Sequence, residues 1–280
     1  MYKNKKIYAV YRCLYGEDFI KESIESIIDY VDKVFVLYSK KIWGNVTSVV
    51  YEGEIIEFPK PFDNLLEKVK EIKSSKIILL EQGEFWTNVP WNNYTSLING
   101  IVIPKYGKPD VFVLPEADHV FAIGDFRPSL DLFYESDFKV AKTQQIELWK
   151  SPNHCLPYRE RIGVVFWRTE DFDIFPNTHG GGQPTTDLTL KNHCLPIPVY
   201  NLGFMVSEKS MYWKILTAIA FAEKIRDSPP NLNWYKNTWL NWDFLYNNKN
   251  LEPALGYEKN IPEAIKYENC RLPLSILERF

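Results

Sequence analysis

The residues best equipped for chemistry are Glu116-Ala117-Asp118-His119, which follow the apolar run Asp110-Val111-Phe112-Val113-Leu114 and Pro115. Two carboxylates at i and i+2 beyond a strand end point toward one ion if the chain turns there. Hard oxygen donors of this kind select Mg or Mn, and His119 adds a nitrogen. A divalent cation so held neutralises charge that builds on a departing diphosphate, the Lewis-acid role of a metal. Acidic turns are common on solvated surfaces; what singles this one out is its place after a strand, where open α/β sheets bind ligands.

Other clusters compete less well. Glu81-Gln82-Gly83-Glu84 also follows an apolar strand and is the main rival acidic site, but it lacks the i, i+2 pair. His154-Cys155 and His193-Cys194 share the text His-Cys-Leu-Pro. Imidazole and thiol at adjacent positions do not give the spacing of a tetrahedral zinc site, so structural roles are expected there.

The elements that must position these groups are readable in the N-terminal half. Ile7 to Tyr11 reads as a buried strand, followed by Ile20, Ile24, Ile27, Ile28 and Val31 at helical spacing. Lys33 to Tyr38 is a second strand, and a third is expected somewhere in Val49 to Phe58, before Pro59 and Pro61. Leu65, Leu66, Val69 and Ile72 mark a short helix, Lys76 to Leu80 a fourth strand, and Trp91 to Ile101 a helix closed by Pro104 and Gly107. Asp110 to Leu114 is then the fifth strand, apolar throughout, as a strand covered on both faces must be. Strands and helices alternating in this way predict an α/β fold: a Rossmann-like, mostly parallel central sheet with helices on both faces. The second half predicts a smaller mixed sheet, with strands near Arg161 to Trp167 and Pro198 to Leu202 and a helix from Ser207 to Arg226, ended by Pro229-Pro230.

Composition narrows the function classes. With 280 residues and 45% apolar content the chain can bury a large core, and a net charge of -3 gives no basic footprint for nucleic acid. Cys13, Cys155, Cys194 and Cys270 form no CxxC pair and no apolar run reaches membrane-spanning length. Reduced thiols and a soluble, cytoplasmic protein without a transmembrane segment are expected.

A family resemblance follows from three phrases. Ala9-Val10-Tyr11-Arg12-Cys13-Leu14-Tyr15-Gly16-Glu17-Asp18-Phe19-Ile20, with Ser23-Ile24-Glu25-Ser26 and Val31 to Val36, resembles the start of glycosyltransferases of the GT-A type, family 2. Asp110 to Val120 is similar to that family's strand with its Asp-x-Asp motif. Val199 to Val206, then Met211 and Lys214, is similar to a "y-H-y-G-w-v" segment with a downstream "m-x-x-K". The resemblance implies one GT-A-like domain over residues 1–280, with a nucleotide-sugar half to about residue 120 and an acceptor half from 121. It implies Asp118 as principal metal ligand with Glu116 beside it, and Tyr11, Arg12, Glu17, Tyr38 and Ser39 around the nucleotide, the tyrosine stacking the base and the arginine on phosphate. His119 and Asn201 complete the implied metal set, with two departures: Asn201 stands where His is common, and His119 where an acidic residue is common.

The implied reaction is transfer of a sugar from a nucleoside diphosphate sugar to a glycan or other hydroxyl acceptor, aided by Mn or Mg and inverting. Inversion needs a general base near the attacking hydroxyl. The Gly-rich stretch Thr178 to Asp187 offers Asp187 and His179, and could close over substrate. Trp234, Trp239 and Trp242, interleaved with asparagines, are an acceptor platform or core filler. Two alternatives stay open: a nucleotidyltransferase, which usually carries a Gly-rich basic loop after its first strand, and a carbohydrate-binding protein without turnover.

Overall fold

A computed structural model describes residues 4–13, 15–38, 46–60, 64–81, 93–157, 162–170, 172, 174–176, 193–220, 232–242 and 264–280. Its centre is one sheet, in which four strands run parallel. These are β1 (Ile7–Cys13), β2 (Lys33–Tyr38), β5 (Ile77–Glu81) and β6 (Val111–Leu114), in the order β5-β2-β1-β6. β10 (Ile162–Arg168) joins β6 antiparallel, and β8 (Val140–Trp149), β9 (Ser151–Cys155) and β12 (Ile265–Lys266) continue the sheet antiparallel. The long β11 (Cys194–Phe204) lies parallel to β8 and pairs antiparallel with the two-residue β7 (His119–Val120). The α/β fold with a parallel half and a mixed half is the one expected from the alternation of apolar runs.

β1 shows why the core forms. All but one of its residues are buried, and alternate side chains enter two different layers. Ile7, Ala9, Tyr11 and Cys13 pack toward α1 (Ile20–Glu25) and α2 (Leu65–Glu71), while Tyr8 and Val10 pack toward the helical segment Asn93–Tyr106. Burying an Ile or Phe side chain in such a layer contributes about 1.5–3 kcal/mol, so these strands are held by covering helices on both faces.

Two expectations need correction. Val49 to Phe58 is not a strand of the main sheet; it is a separate hairpin, β3 (Ser48–Tyr51) and β4 (Glu54–Glu57). Glu52 and Gly53 at its tip have φ of 52° and 87°, a two-residue turn whose twist matches the hairpin. The helix expected to be closed by Pro104 and Gly107 does end there, at Tyr106, after a π-turn at Ile98–Val102 and a last turn, α4 (Ile103–Tyr106). Pro104 lacks an N–H for the helix ladder, and the widened turn before it absorbs that loss. Gly107, at φ 79°, then stops it. α5 (Phe126–Glu135), β8 and β9 form in a stretch where no such elements were expected, and β11 extends well beyond Pro198 to Leu202. Of the helix expected over Ser207 to Arg226, α6 (Glu208–Ala220) is described.

Among the described residues no helix is long and apolar enough to cross a membrane.

Candidate active site

The chain leaves β1 to one side, toward β2, and returns on the other side as β6. That reversal opens a crevice at the carboxyl ends of β1 and β6, the place where open α/β sheets bind ligands. The residues there come from four elements. Arg12 is near the end of β1, Tyr15, Gly16, Asp18 and Phe19 lead into α1, Glu116 to Asp118 follow β6, Val206 precedes α6, and Ser210 and Lys214 stand within it; together they line one cavity.

Glu116, Asp118 and His119 converge, each offering a ligand atom within 4.8 Å of the others'. Among the described residues no second group of three such side chains does so. The turn that brings them together is fastened from below. The His119 N–H donates to the Glu116 carbonyl at 3.1 Å, and the buried Ser23 hydroxyl of α1 lies 2.5 Å from the His119 carbonyl and 3.2 Å from that of Glu116. From above, β11 holds it: Asn201 pairs with His119, and the Leu202 N–H donates to the Asp118 carbonyl at 2.9 Å.

Asp118 faces a cation already. Lys214 Nζ donates to its Oδ2 at 3.0 Å and to the Gly203 carbonyl at 3.0 Å. Burial alone would raise the Asp118 pKa, but the Lys214 ammonium, helped by His119, outweighs it and holds the carboxyl below the usual aspartate value. Burial likewise works against the Lys214 charge, and the Asp118 carboxylate, then Tyr15, overcome it and raise the lysine. Gly203 permits the arrangement: a Cβ there would lie 2.8 Å from Asn201 Oδ1, 2.9 Å from Asp118 Oδ2 and 3.2 Å from Lys214 Nζ. Gly16 plays the same part below, since its Cβ would meet the Ala117 Cβ at 2.7 Å.

His119 is buried, and its Nδ1 lies 3.3 Å from the Glu116 N–H while its Nε2 lies 3.4 Å from Asn201 Nδ2 and 4.0 Å from Glu116 Oε2. Both ring nitrogens therefore face N–H donors, and neutral imidazole can accept at one of them only. The Asn201 amide is oriented by the Gly203 N–H, which donates to its Oδ1 at 2.7 Å. Asn201 thus braces the site, with its potential ligating oxygen already accepting a hydrogen bond.

The residues implied around the nucleotide separate. Arg12 lines the cavity, its guanidinium 5.2 Å from the Tyr94 ring centroid. Tyr11 does not: it is fully buried, near the Ser23 hydroxyl at 3.2 Å, and burial raises its pKa far above that of free tyrosine. A strand covered on both faces leaves Tyr11 no surface on which a base can stack. Glu17 accepts from the Asn64 N–H at 2.6 Å and pairs with Lys209 at 2.5 Å, which ties α2 to α6. Tyr38, at the end of β2, donates to Glu81 at 3.3 Å. Ser39, Glu84, His179 and Asp187 lie outside the described residues.

The remaining candidates resolve into structure. His154 contacts Ser151 Oγ at 2.8 Å, His193 contacts the Val140 carbonyl at 3.1 Å and stacks on Phe138, and no disulfide joins the four cysteines. Trp234 and Trp239 are buried, and Trp242 packs on Trp149 at 4.9 Å, so these rings fill the core beneath α6. Sequence reasoning gave no role to Ser23, Gly203 or Lys214, although all three stand in the phrases that carry the family resemblance.

No protein-family model matches the sequence, and a comparison with curated proteins finds no match. Among solved structures the chain is similar to glucosyl-3-phosphoglycerate synthase from Mycobacterium tuberculosis in complex with Mn2+, UDP-glucose and phosphoglyceric acid, at 17% identity and a TM-score of 0.33. That overlay covers 51% of this chain and 45% of the synthase, so the match spans less than half of the latter's length. It is also similar to S. aureus TarS, residues 1–349, with 14% identity, a TM-score of 0.42, and 88% and 73% of the two chains covered. A third likeness is to the mannosyltransferase PcManGT from Pyrobaculum calidifontis in complex with GDP-Man and Mn2+: 12% identity, a TM-score of 0.39, and 83% and 67% covered.

Proposed function

We propose that the chain is a glycosyltransferase that moves a sugar from a nucleoside diphosphate sugar to an acceptor hydroxyl, with inversion. The observation that carries this reading is the convergence of Glu116, Asp118 and His119 at the switch point of the sheet, where the two carboxylates line a cavity that also receives Arg12 and Lys214.

The two carboxylates are hard oxygen donors of the kind that suit Mn or Mg. Glu116 and Asp118 would hold the ion, with His119 at their side, and a bound ion would supply positive charge to the diphosphate as it departs. Arg12 is the residue of the chain fitted to grip phosphate oxygens, its planar fork matching their geometry. The packing of Gly16 on Ala117 keeps the loop before α1 close to the acidic turn, so that phosphate and ion ligands face one space. The acceptor half, residues 121–280, would bring the hydroxyl, with Asp187 as general base and His179 beside it in the Gly-rich stretch.

The test is incubation with a panel of nucleotide sugars, with Mn2+ and with EDTA, following release of nucleoside diphosphate and thermal stabilisation. Release that falls at least about a hundredfold in Asp118→Asn, the scale of losing a charge-stabilising group, supports the reading. Pyrophosphate release from nucleoside triphosphates would replace it with the nucleotidyltransferase. Stabilisation by free glycans without turnover would replace it with the binding protein.

A further inference from the structure

We infer that Lys214 is the built-in cation of this site: its ammonium takes the side of Asp118 that a divalent ion would use, and it supplies part of the positive charge that receives a diphosphate. The carboxylate is not waiting empty. Lys214 Nζ lies 3.0 Å from Asp118 Oδ2, with the Gly203 carbonyl, also at 3.0 Å, fixing the ammonium on its second donor. An ammonium has three N–H donors. With two of them on these partners and the side chain 21% exposed toward the cavity it lines, the third can reach a ligand.

The placement is built. Lys214 comes from α6, 96 residues beyond Asp118, and the pair closes only because position 203 has no Cβ. The ammonium also stands 5.7 Å from the centroid of the Tyr15 ring, another part of the cavity lining. Arg12 enters the same cavity from the end of β1. Two cations from separate elements therefore line the cavity where a metal's charge would act, and a divalent ion that binds Asp118 must do so beside an ammonium of like sign. Lysine at this position both weakens the hold on the ion and lessens the need for it.

The claim about diphosphate rests on the transferase reading; the claim about the cation does not, and the experiment keeps them apart. Mn2+ is titrated into the wild-type chain, Lys214→Met and Lys214→Arg, with free Mn2+ read by electron paramagnetic resonance. UDP and GDP binding is measured calorimetrically in Mn2+ and in EDTA. The expected result is that Lys214→Met binds Mn2+ about tenfold or more tightly than wild type while Lys214→Arg does not, because the like charge is gone in the first and kept in the second. In EDTA the wild type binds UDP or GDP, and Lys214→Met weakens that binding about tenfold, the order of a charge-assisted contact. Unchanged or weaker Mn2+ binding by a folded Lys214→Met chain overturns the inference. A wild-type chain that binds UDP or GDP only with Mn2+ overturns it too, and needs no variant. Tighter Mn2+ binding by Lys214→Met, with no nucleotide bound by any chain, supports the cation and sinks the transferase reading alone.

Discussion

The Ser23 hydroxyl donates to the His119 carbonyl across 2.5 Å, joining the first helix to the acidic turn 96 positions later in the chain. Ser23 is fully buried, and its oxygen also lies 3.2 Å from both the Glu116 carbonyl and the Tyr11 hydroxyl. One side chain thus links β1, α1 and the turn that bears Glu116, Asp118 and His119.

Ser23→Ala should cost about 1–2 kcal/mol of stability, the usual value of a buried hydrogen bond whose partner is left behind. In a chain of this size that lowers Tm by a few degrees, about 2–4 °C per kcal/mol. Mn2+ affinity should fall as well, because the turn loses its lower fastening. A melt that shifts while Mn2+ binding stays the same would confine Ser23 to packing.

This link marks how far the sequence could be read. The carboxylates are neighbours in the chain, so their convergence was visible in the text, and so were β1, β2, β5 and β6, whose apolar runs have no other use. Lys214 and Gly203 were visible as letters only. Their roles depend on β11 pairing with β7 and laying Gly203 against Asp118, a contact no local spacing encodes. β8 was missed for a different reason: Lys142, Thr143, Gln145 and Glu147 are buried within it, so its pattern reads as a solvated segment. Tyr11 failed because a position after the first strand implied an open ring, whereas two covering layers enclose it.

His154 should make stability fall with acid in a defined window. Burial, with repulsion from Lys266, lowers its pKa below that of free histidine. Between the unfolded value, about 6.5, and the lower folded one, the unfolded chain binds more protons, so stability rises with pH there. The contribution is therefore present above about pH 6.5, is lost as pH falls toward the folded value, and then levels off. His154→Gln should flatten the dependence of the unfolding free energy between pH 7 and 5, on the scale where free histidine titrates, about 6.5. Parallel urea-derived curves for the two chains over that range would rule out the assignment.

Arg279 clamps the C-terminus to the cavity loop. Its guanidinium donates to the Asp18 carbonyl at 2.6 Å, pairs with the buried Glu22 and sits 5.5 Å from the Phe19 ring centroid. Arg279→Ala leaves Glu22 without that partner, and the expected loss is about 1–3 kcal/mol, the desolvation cost of a group left unsatisfied. Glu22→Gln in the same background should recover part of it, since a neutral amide costs less to bury than a carboxylate. Chemical denaturation of the four chains in a double-mutant cycle reads the coupling. Additive losses would show that the pair contributes nothing beyond its separate parts.

Gly203→Ala tests the packing at the centre of the site. The new methyl would stand within 3.0 Å of both Asn201 Oδ1 and Asp118 Oδ2, distances that real Cβ contacts essentially never reach, and 3.2 Å from Lys214 Nζ. None of the three can give way at no cost. Asn201 Oδ1 holds the Gly203 N–H at 2.7 Å, Asp118 is tied to Lys214, and Lys214 to the Gly203 carbonyl. Overpacking of this kind costs about 1–3 kcal/mol. Part of that cost should appear as displacement of Asp118, so Mn2+ binding and nucleotide release should fall more steeply than stability does. Gly53→Ala is the control: nothing lies within 4 Å of a Cβ there, and its φ of 87° makes any loss one of backbone strain in the β3–β4 turn alone. If both substitutions lower Tm equally and leave Mn2+ binding untouched, the close approach at Gly203 has no part in holding the site.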